Sequence, residues 1–368
     1  MNTDYKILVA PLNWGLGHAT RCIPIIHALI EKGFDPIIAT DGVALHLLRA
    51  EFPDLPWREL PSYKIKYPKK GKHFKLKMIW NSPKMIKAIK KEKKAVKAIC
   101  KEMGIKGIIS DNRLGVYYKK VPCVFITHQL TVLTGNTTKL SSKIHQKIIQ
   151  KFNECWVPDV PWKENLSGQL GRNHEINVPL KYLGPLSRLE KLNIPIQQDL
   201  LVLLSGPEPQ RTLLEDKILE ELQYFKGKVL IVRGIVDPNA PKLKGIDPKI
   251  QSINYMTSKD LETAINSSEM VLCRSGYTTI MDLAKLEKKA FFIPTPGQYE
   301  QEYLAERLEE QGIAPCCNQN HFSMGMLKKI AHFKGLKQFD YTPDMEALFS
   351  IFSKVKENSE PTSTSLST

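Results

Sequence analysis

The sequence predicts an α/β protein of two Rossmann-like domains facing each other across a central cleft. Three stretches carry that prediction. Residues 6–11, 199–204 and 270–273 are short apolar runs, each ending in a turn that contains glycine. The turns are Asn13-Trp14-Gly15-Leu16-Gly17-His18, Ser205-Gly206 and Arg274-Ser275-Gly276. A helical pattern follows each turn, so each unit reads as strand, turn and helix start. A helix start presents unpaired N–H groups and the positive end of the helix dipole, a combination that suits phosphate.

In the first half, 6–11 reads as a buried strand. The helix after it runs through Ile23, Ile26, Leu29 and Ile30 and ends at Gly33. Gly15 and Gly17 allow a tight turn and close backbone approach by a ligand. Strands are expected at 35–40 and 57–60, with a helix at 42–50 between them. Residues 107–110 form a fourth strand ending in Asp111-Asn112-Arg113, and 123–127 a fifth ending in His128-Gln129. Open α/β sheets bind ligands beyond the carboxyl ends of their strands. Asp111 and His128 therefore fall on the side of the His18 loop, and for each a capping role is the alternative. A helix at 141–151 and a short strand at 154–158 complete the first domain, residues 1–180. Residues 181–195 read as the interdomain connection.

The second domain, 196–343, has expected strands at 199–204, 229–233, 253–255, 270–273 and 290–293. Helices are expected at 212–225, 261–267 and 277–285. A last helix, 344–356, is expected to return to the first domain, and 357–368 is polar, rich in Ser and Thr, and expected to be disordered.

A chain of 368 residues is long enough for two full cores. Its 42% hydrophobic and 25% charged residues are ordinary for a globular protein in water. No apolar run approaches the ~18 residues of a membrane span. MNTDYK leads directly into ILVAPL, too short an apolar run for a signal-peptide core, so a cytoplasmic location is expected. The seven Cys are scattered without a CxxC pair, which favours reduced thiols and gives no zinc pattern.

The net charge of +15 is concentrated. Residues 64–106 hold sixteen Lys against Glu92 and Glu102, a net of +14. This segment opens loop-like and continues into a helix with Ser82 as cap and Pro83 in its first turn. Met85, Ile86, Ile89, Val96, Ile99 and Met103 recur at helical spacing, which suits a crossover helix packed on the sheet with its Lys face in water. Such a surface attracts anionic lipid, and a peripheral position on the inner face of a membrane is expected from it. Tyr63, Tyr67, Phe74 and Trp80 supply aromatic rings, but no RNA-binding signature accompanies them, and nucleic acid is not an expected partner.

The stretch 270–301 resembles the nucleotide-sugar motif of inverting GT-B glycosyltransferases of the family 28 type, R-S-G-x-x-T-x-x-E followed by an apolar strand, Pro and an acidic-Gln pair. Arg274, Ser275, Gly276 and Thr279 match, Asp282 stands where Glu is usual, and Glu300-Gln301 form the pair. Leu304 stands where Asn often follows. The first glycine loop is similar to the G-x-G-H-x-x-R loop that opens the acceptor domain of these families, here Gly15 to Arg21. The resemblance implies a GT-B fold, and a nucleotide sugar, most often UDP-linked, as co-substrate. It also implies direct displacement with inversion onto a hydroxyl acceptor, one that lipid-linked phosphate would fit. Asp282 would hold the ribose hydroxyls, Glu300 and Gln301 the donor sugar, and Tyr255-Met256 would lie near the base. Ser205, Gly206 and Arg211 would lie by the donor phosphates. Gly15, Gly17, Arg21 and His128 would line the acceptor side. His18 would be the base, with Asp111 orienting it or serving as base itself. No metal or other cofactor is expected, in line with the lack of any Asp-x-Asp. Three other readings share these features: a nucleotide-sugar hydrolase on the same scaffold, a GT-B epimerase, and a non-catalytic basic protein that binds membrane or RNA.

Overall fold

The computed structural model describes residues 5–63, 83–172, 176–235, 240, 241, 243 and 247–357. Residues 64–82 of the Lys-rich segment, including the expected Ser82 cap, lie outside the described residues, as does the tail from 358.

Two all-parallel sheets form the frame. The first contains β1 (Lys6–Pro11), β2 (Asp35–Thr40), β3 (Trp57–Glu59), β4 (Gly107–Asp111), β5 (Cys123–Ile126), β6 (Glu154–Val157) and β7 (Leu180–Tyr182), in the order 3-2-1-4-5-6-7. Its helices are α1 (Gly17–Glu31), α2 (Gly42–Glu51), α3 (Pro83–Met103) and α4 (Thr138–Ile149). The second sheet contains β8 (Gln198–Leu203), β9 (Val229–Val232), β10 (Ile250–Ile253), β11 (Ser268–Cys273) and β12 (Lys289–Phe292), ordered 10-9-8-11-12. With it go α5 (Gln210–Leu222), α6 (Ser258–Asn266), α7 (Tyr277–Lys285) and α8 (Tyr299–Glu310). The final helix is α9 (Met345–Glu357).

Crossover helices cover both faces of each sheet, which is why the strands read as apolar runs and not as alternation. In β1, Ile7 and Val9 join the core under α1 and α2. Leu8 and Ala10 point the other way, into the core that holds Val96, Ile99 and Cys100 of α3. The apolar stripe of α3 thus lies on the sheet, except for Ile86, which is exposed, and the lysines from Lys87 to Lys101 face outward. Among the described residues no helix is long and apolar enough to cross a membrane. In α9, Phe349 and Phe352 lie 5.8 and 6.3 Å from the Phe34 ring and 6.0 and 6.2 Å from Trp156, so this helix packs on the first domain.

Several boundaries differ from expectation. β7 runs to Tyr182 as the seventh strand of the first sheet, so that sheet extends past residue 180 into the expected connection. β10 is 250–253 and not 253–255, which leaves Tyr255 in the loop after the strand. α8 was not expected, because YEQEYLAERLEE is mostly polar and buries only Leu304, Ala305 and Leu308. Glu300 and Gln301 therefore stand in the first turn of a helix.

The domains meet through the starts of α1 and α7. Thr278 Oγ1 donates to Gly17 O at 3.2 Å, and a Cβ at residue 17 would come within 2.7 Å of that oxygen. Glycine at 17 is thus required by the other domain's approach. Gly17→Ala is expected to force Thr278 away at a cost of about 1–3 kcal/mol. A lower Tm and a larger radius of gyration by X-ray scattering check this, and unchanged values contradict it.

Candidate active site

Strand order reverses between β1 and β4 in the first sheet and between β8 and β11 in the second. In an open parallel sheet the connections there leave on opposite faces and open a crevice. The loops that follow these strands contain the glycine turns.

On the first-domain side, Pro11 and Asp111 are partners at the ends of β1 and β4, which sets Asp111 beside the start of α1. That start has no side-chain cap. His18 Nδ1 lies 3.0 Å from Asp111 Oδ1, with 15% of the His18 side chain exposed and Asp111 fully buried. Arg21, one turn further along α1, donates from Nε to Asp111 Oδ2 at 2.6 Å and from Nη2 to Oδ1. Its Nη2 is also 2.9 Å from His18 Nδ1, and its Nη1 is 3.1 Å from His128 Nδ1. Burial alone would raise the Asp111 carboxyl, but the Arg21 guanidinium and His18 hold it well below the usual carboxylate range. Burial lowers the His18 imidazole, the Asp111 charge opposes that, and Arg21 adds to it. The net result is a neutral imidazole at physiological pH. His18 Nδ1 thus faces both an accepting carboxylate and a donating guanidinium. The tautomer that directs Nδ1–H to Asp111 is the one that leaves Nε2 free to accept a proton.

A guanidinium only donates, so His128 accepts from Arg21 at Nδ1 and carries its proton on Nε2. That Nε2–H donates to Glu300 Oε1 at 2.9 Å. Asp111, Arg21, His128 and Glu300 thus form one hydrogen-bonded chain across the domain boundary. Gln129 Nε2 also donates to Glu300, and the His128 ring stacks on Tyr277 at 4.2 Å. Tyr277 OH donates to Pro158 O at 2.8 Å, fastening the start of α7 to the first domain.

On the second-domain side, α7 begins after Gly276 with no side-chain cap, and α5 begins after Pro209 in the same way. Ser275 is buried and its hydroxyl donates to Gln301 O at 2.8 Å. Gln301 Oε1 accepts from Thr295 N at 2.8 Å. Gly206, at φ +101°, needs glycine, while Ser205 beside it is exposed. Thr279, half-buried, lies in the first turn of α7. Asp282 lies farther along that helix, and its Oδ1 accepts from Ser187 Oγ at 2.7 Å. Burial pushes the Asp282 carboxyl up to about 6, against the Ser187 hydroxyl and the Arg188 charge.

Two arginines depart from their expected place at the donor. Arg274 is buried and donates to the carbonyls of Ile293, Pro294 and Gln210 and to Gln319 Oε1. It ties β11 to the end of β12 and to α5, because a buried guanidinium must find acceptors. Burial without a carboxylate pulls its pKa down to about 9. Arg211 is buried as well, paired with Glu208 and Glu215. Both guanidiniums are held mainly by structural acceptors, although Arg274 Nε is buried without a partner among the described residues.

Two residues escaped the sequence reading. Arg188 lies in the connection between β7 and β8, and its Nε and Nη1 are buried without a partner among the described residues. Its charge acts on both Asp282 and Tyr255. Thr295, in the loop after β12, has a buried hydroxyl without a partner among the described residues, and a Cβ on Gly206 would lie 3.8 Å from it. Neither residue belongs to a periodic or glycine-marked pattern, so only the folded chain reveals them.

Two parallel α/β domains with opposed glycine loops define the class: the chain is a GT-B glycosyltransferase. Residues 210–356 match the model of the glycosyltransferase family 28 C-terminal domain. Over 234 residues the chain is 26% identical to the UDP-N-acetylglucosamine–N-acetylmuramyl-(pentapeptide) pyrophosphoryl-undecaprenol N-acetylglucosamine transferase of Buchnera aphidicola, a match spanning 62% of each chain. It is 25% identical to an uncharacterized glycosyltransferase of Methanosarcina acetivorans, over 83% of this chain and 84% of the relative. The solved structure of glycosyltransferase VinC in complex with dTDP superposes with a TM-score of 0.61 at 10% identity, covering 96% of this chain and 100% of that one.

Proposed function

We propose that the enzyme moves a sugar from a nucleotide sugar, UDP-linked, to a hydroxyl acceptor by a single inverting displacement. The observation that carries this reading is the placement of the uncapped start of α7 opposite the His18–Asp111 pair, joined by the contact between Thr278 and Gly17. His18 Nε2 takes the proton of the acceptor hydroxyl as its oxygen bonds to the anomeric carbon. The bond from that carbon to the diphosphate breaks, and the electron pair leaves with the diphosphate oxygen. N–H groups at Gly276 and Tyr277, with the α7 dipole, meet that charge, so the displacement needs no metal. Arg188 supplies the cation on this side, and Asp282 accepts from the ribose hydroxyls. The pH behaviour follows from these roles. Because the His18 pKa is lowered, the acid limb of kcat is expected below pH 6.5.

Ribose binding favours the ionised form of Asp282, so donor affinity is expected to fall as pH drops through about 6. The slope approaches about tenfold per pH unit. Asp282→Asn is expected to flatten that dependence in calorimetric titrations with UDP. A pH-independent wild-type affinity contradicts the assignment.

The Lys face of α3 favours an acceptor held at an anionic surface, a lipid-linked phosphate on the inner face of a membrane. A thermal-shift screen of nucleotide sugars, followed by incubation of the best one with and without lipid extract, tests the whole reading. Transfer of label to lipid supports it. Release of free sugar and UDP at the same rate without acceptor makes the enzyme a hydrolase.

A further inference from the structure

A groove on the first domain brings five lysines onto two facing walls. Lys93, Lys97 and Lys101 come from α3, and Lys119 and Lys120 from the segment between β4 and β5. With Tyr117 and Tyr118 they line a cavity of 350 Å³. The three α3 lysines are four residues apart and so follow one another along one helix face. All five are exposed. The groove lies at the opposite end of the sheet from the catalytic cleft, because Tyr118 hydrogen-bonds Cys123, the first residue of β5. Strand starts and strand ends lie on opposite edges of a parallel sheet.

No carboxylate lines this groove. The two acids of segment 64–106 are engaged elsewhere. Glu92 is buried against Arg113, Tyr63 and the Gly115 N–H, and Glu102 pairs with Arg58. The charge on Lys93 turns to an aromatic partner instead. Its Nζ donates to Tyr117 OH at 2.8 Å and stands 4.5 Å from the ring centroid, while Lys151 approaches the same ring at 5.8 Å. Folding thus sets two lysines from one element against three from another, and like charges so arranged repel unless an anion lies between them. A phosphate group suits that space, since it carries up to two charges and several acceptor oxygens that separate ammonium groups can share.

We propose that this groove is a second anion site, taking a phosphate-bearing ligand supplied as a lipid headgroup or as a soluble polyphosphate. It lies at the other edge of the sheet from the cleft of His18 and Ser275, and it shares the α3 lysines with the anionic surface invoked for the acceptor. Two of its lysines, Lys119 and Lys120, lie outside the charged run that the sequence marks.

The test compares three full-length proteins at low salt: wild type, a groove variant and a charge-matched control. The groove variant carries Lys93→Gln, Lys97→Gln, Lys119→Gln and Lys120→Gln. The control carries Lys226→Gln, Lys249→Gln, Lys328→Gln and Lys334→Gln, all exposed positions of the second domain. Inorganic tripolyphosphate is titrated by calorimetry, and vesicles containing phosphatidylglycerol are used in sedimentation. Any tripolyphosphate held in the donor cleft is common to all three. The groove variant is expected to lose about tenfold in affinity or more, and the control far less. Loss towards tripolyphosphate identifies a soluble ligand, and loss towards vesicles alone identifies a headgroup. Equal losses in the two variants, or no loss in the groove variant, overturn the proposal. A single Lys97→Glu reversal, read in the same assays, is expected to weaken binding in the same direction. Binding unchanged by that reversal also counts against the site.

Discussion

Replacing His18 by alanine is expected to lower the rate of sugar transfer by about 10²–10⁴-fold, the usual share of a positioned general base. Donor affinity is expected to stay near the wild-type value. The argument is geometric. His18 is the partly exposed end of a pair whose carboxylate, Asp111, is fully buried and already bound by Arg21. Asp111 is thereby a poor proton acceptor, because the Arg21 guanidinium and the hydrogen bonds from Arg21 and His18 hold its carboxyl low against its burial. In the proposed function that arrangement gives base catalysis to the imidazole and orientation to the carboxylate. The diphosphate, in that same proposal, lies against α7 in the other domain. Single-turnover rates with saturating donor, beside calorimetric Kd values for UDP, separate the two effects. Retained turnover in the His18 variant removes it as base. A matching loss of donor affinity moves it to the donor side.

The second large effect is on stability. Arg21→Leu is expected to cost about 3–5 kcal/mol, because it strands a buried carboxylate. Arg21 is 1% exposed, and it bridges Asp111 to both His18 and His128. Removing it takes away the charge that keeps Asp111 ionised and the donor that fixes the His128 tautomer. Urea denaturation read by tryptophan fluorescence measures the loss. Pairing Arg21→Leu with Asp111→Leu separates a stranded charge from lost packing, since the double variant is expected to recover part of the stability. A double variant no more stable than Arg21→Leu alone contradicts the stranded-charge account.

The parallel sheets were legible in the sequence because the buried strands are mostly unbroken apolar runs, three of which, β1, β8 and β11, stop at glycine turns. Helix α7 was legible from its start after Gly276 to its end at Lys285. Helix α8 was not, since only three of its residues are buried and its pattern is polar. At the candidate site, the sequence singled out His18, Asp111 and Ser275 by their positions after strands, and Asp282 by the motif that the resemblance supplied. It could not tell that Arg274 and Arg211 point into the structure, because burial of an arginine depends on acceptors brought from distant segments. For Arg274 those acceptors are carbonyls of Ile293, Pro294 and Gln210. Arg188 and Thr295 were missed for the converse reason: their unpaired polar atoms become visible only once the chain is folded. His128 lay at a strand end in the sequence. Its engagement by Arg21, Glu300 and Tyr277 is a product of the two domains meeting.

The most direct measurement is a crystal structure of the enzyme soaked with uridine diphosphate. The account predicts diphosphate density within hydrogen-bond distance of the backbone N–H groups of Gly276 and Tyr277, with the ribose against Asp282. Density for the diphosphate at the start of α1, or anywhere away from Ser275 and Gly276, contradicts it.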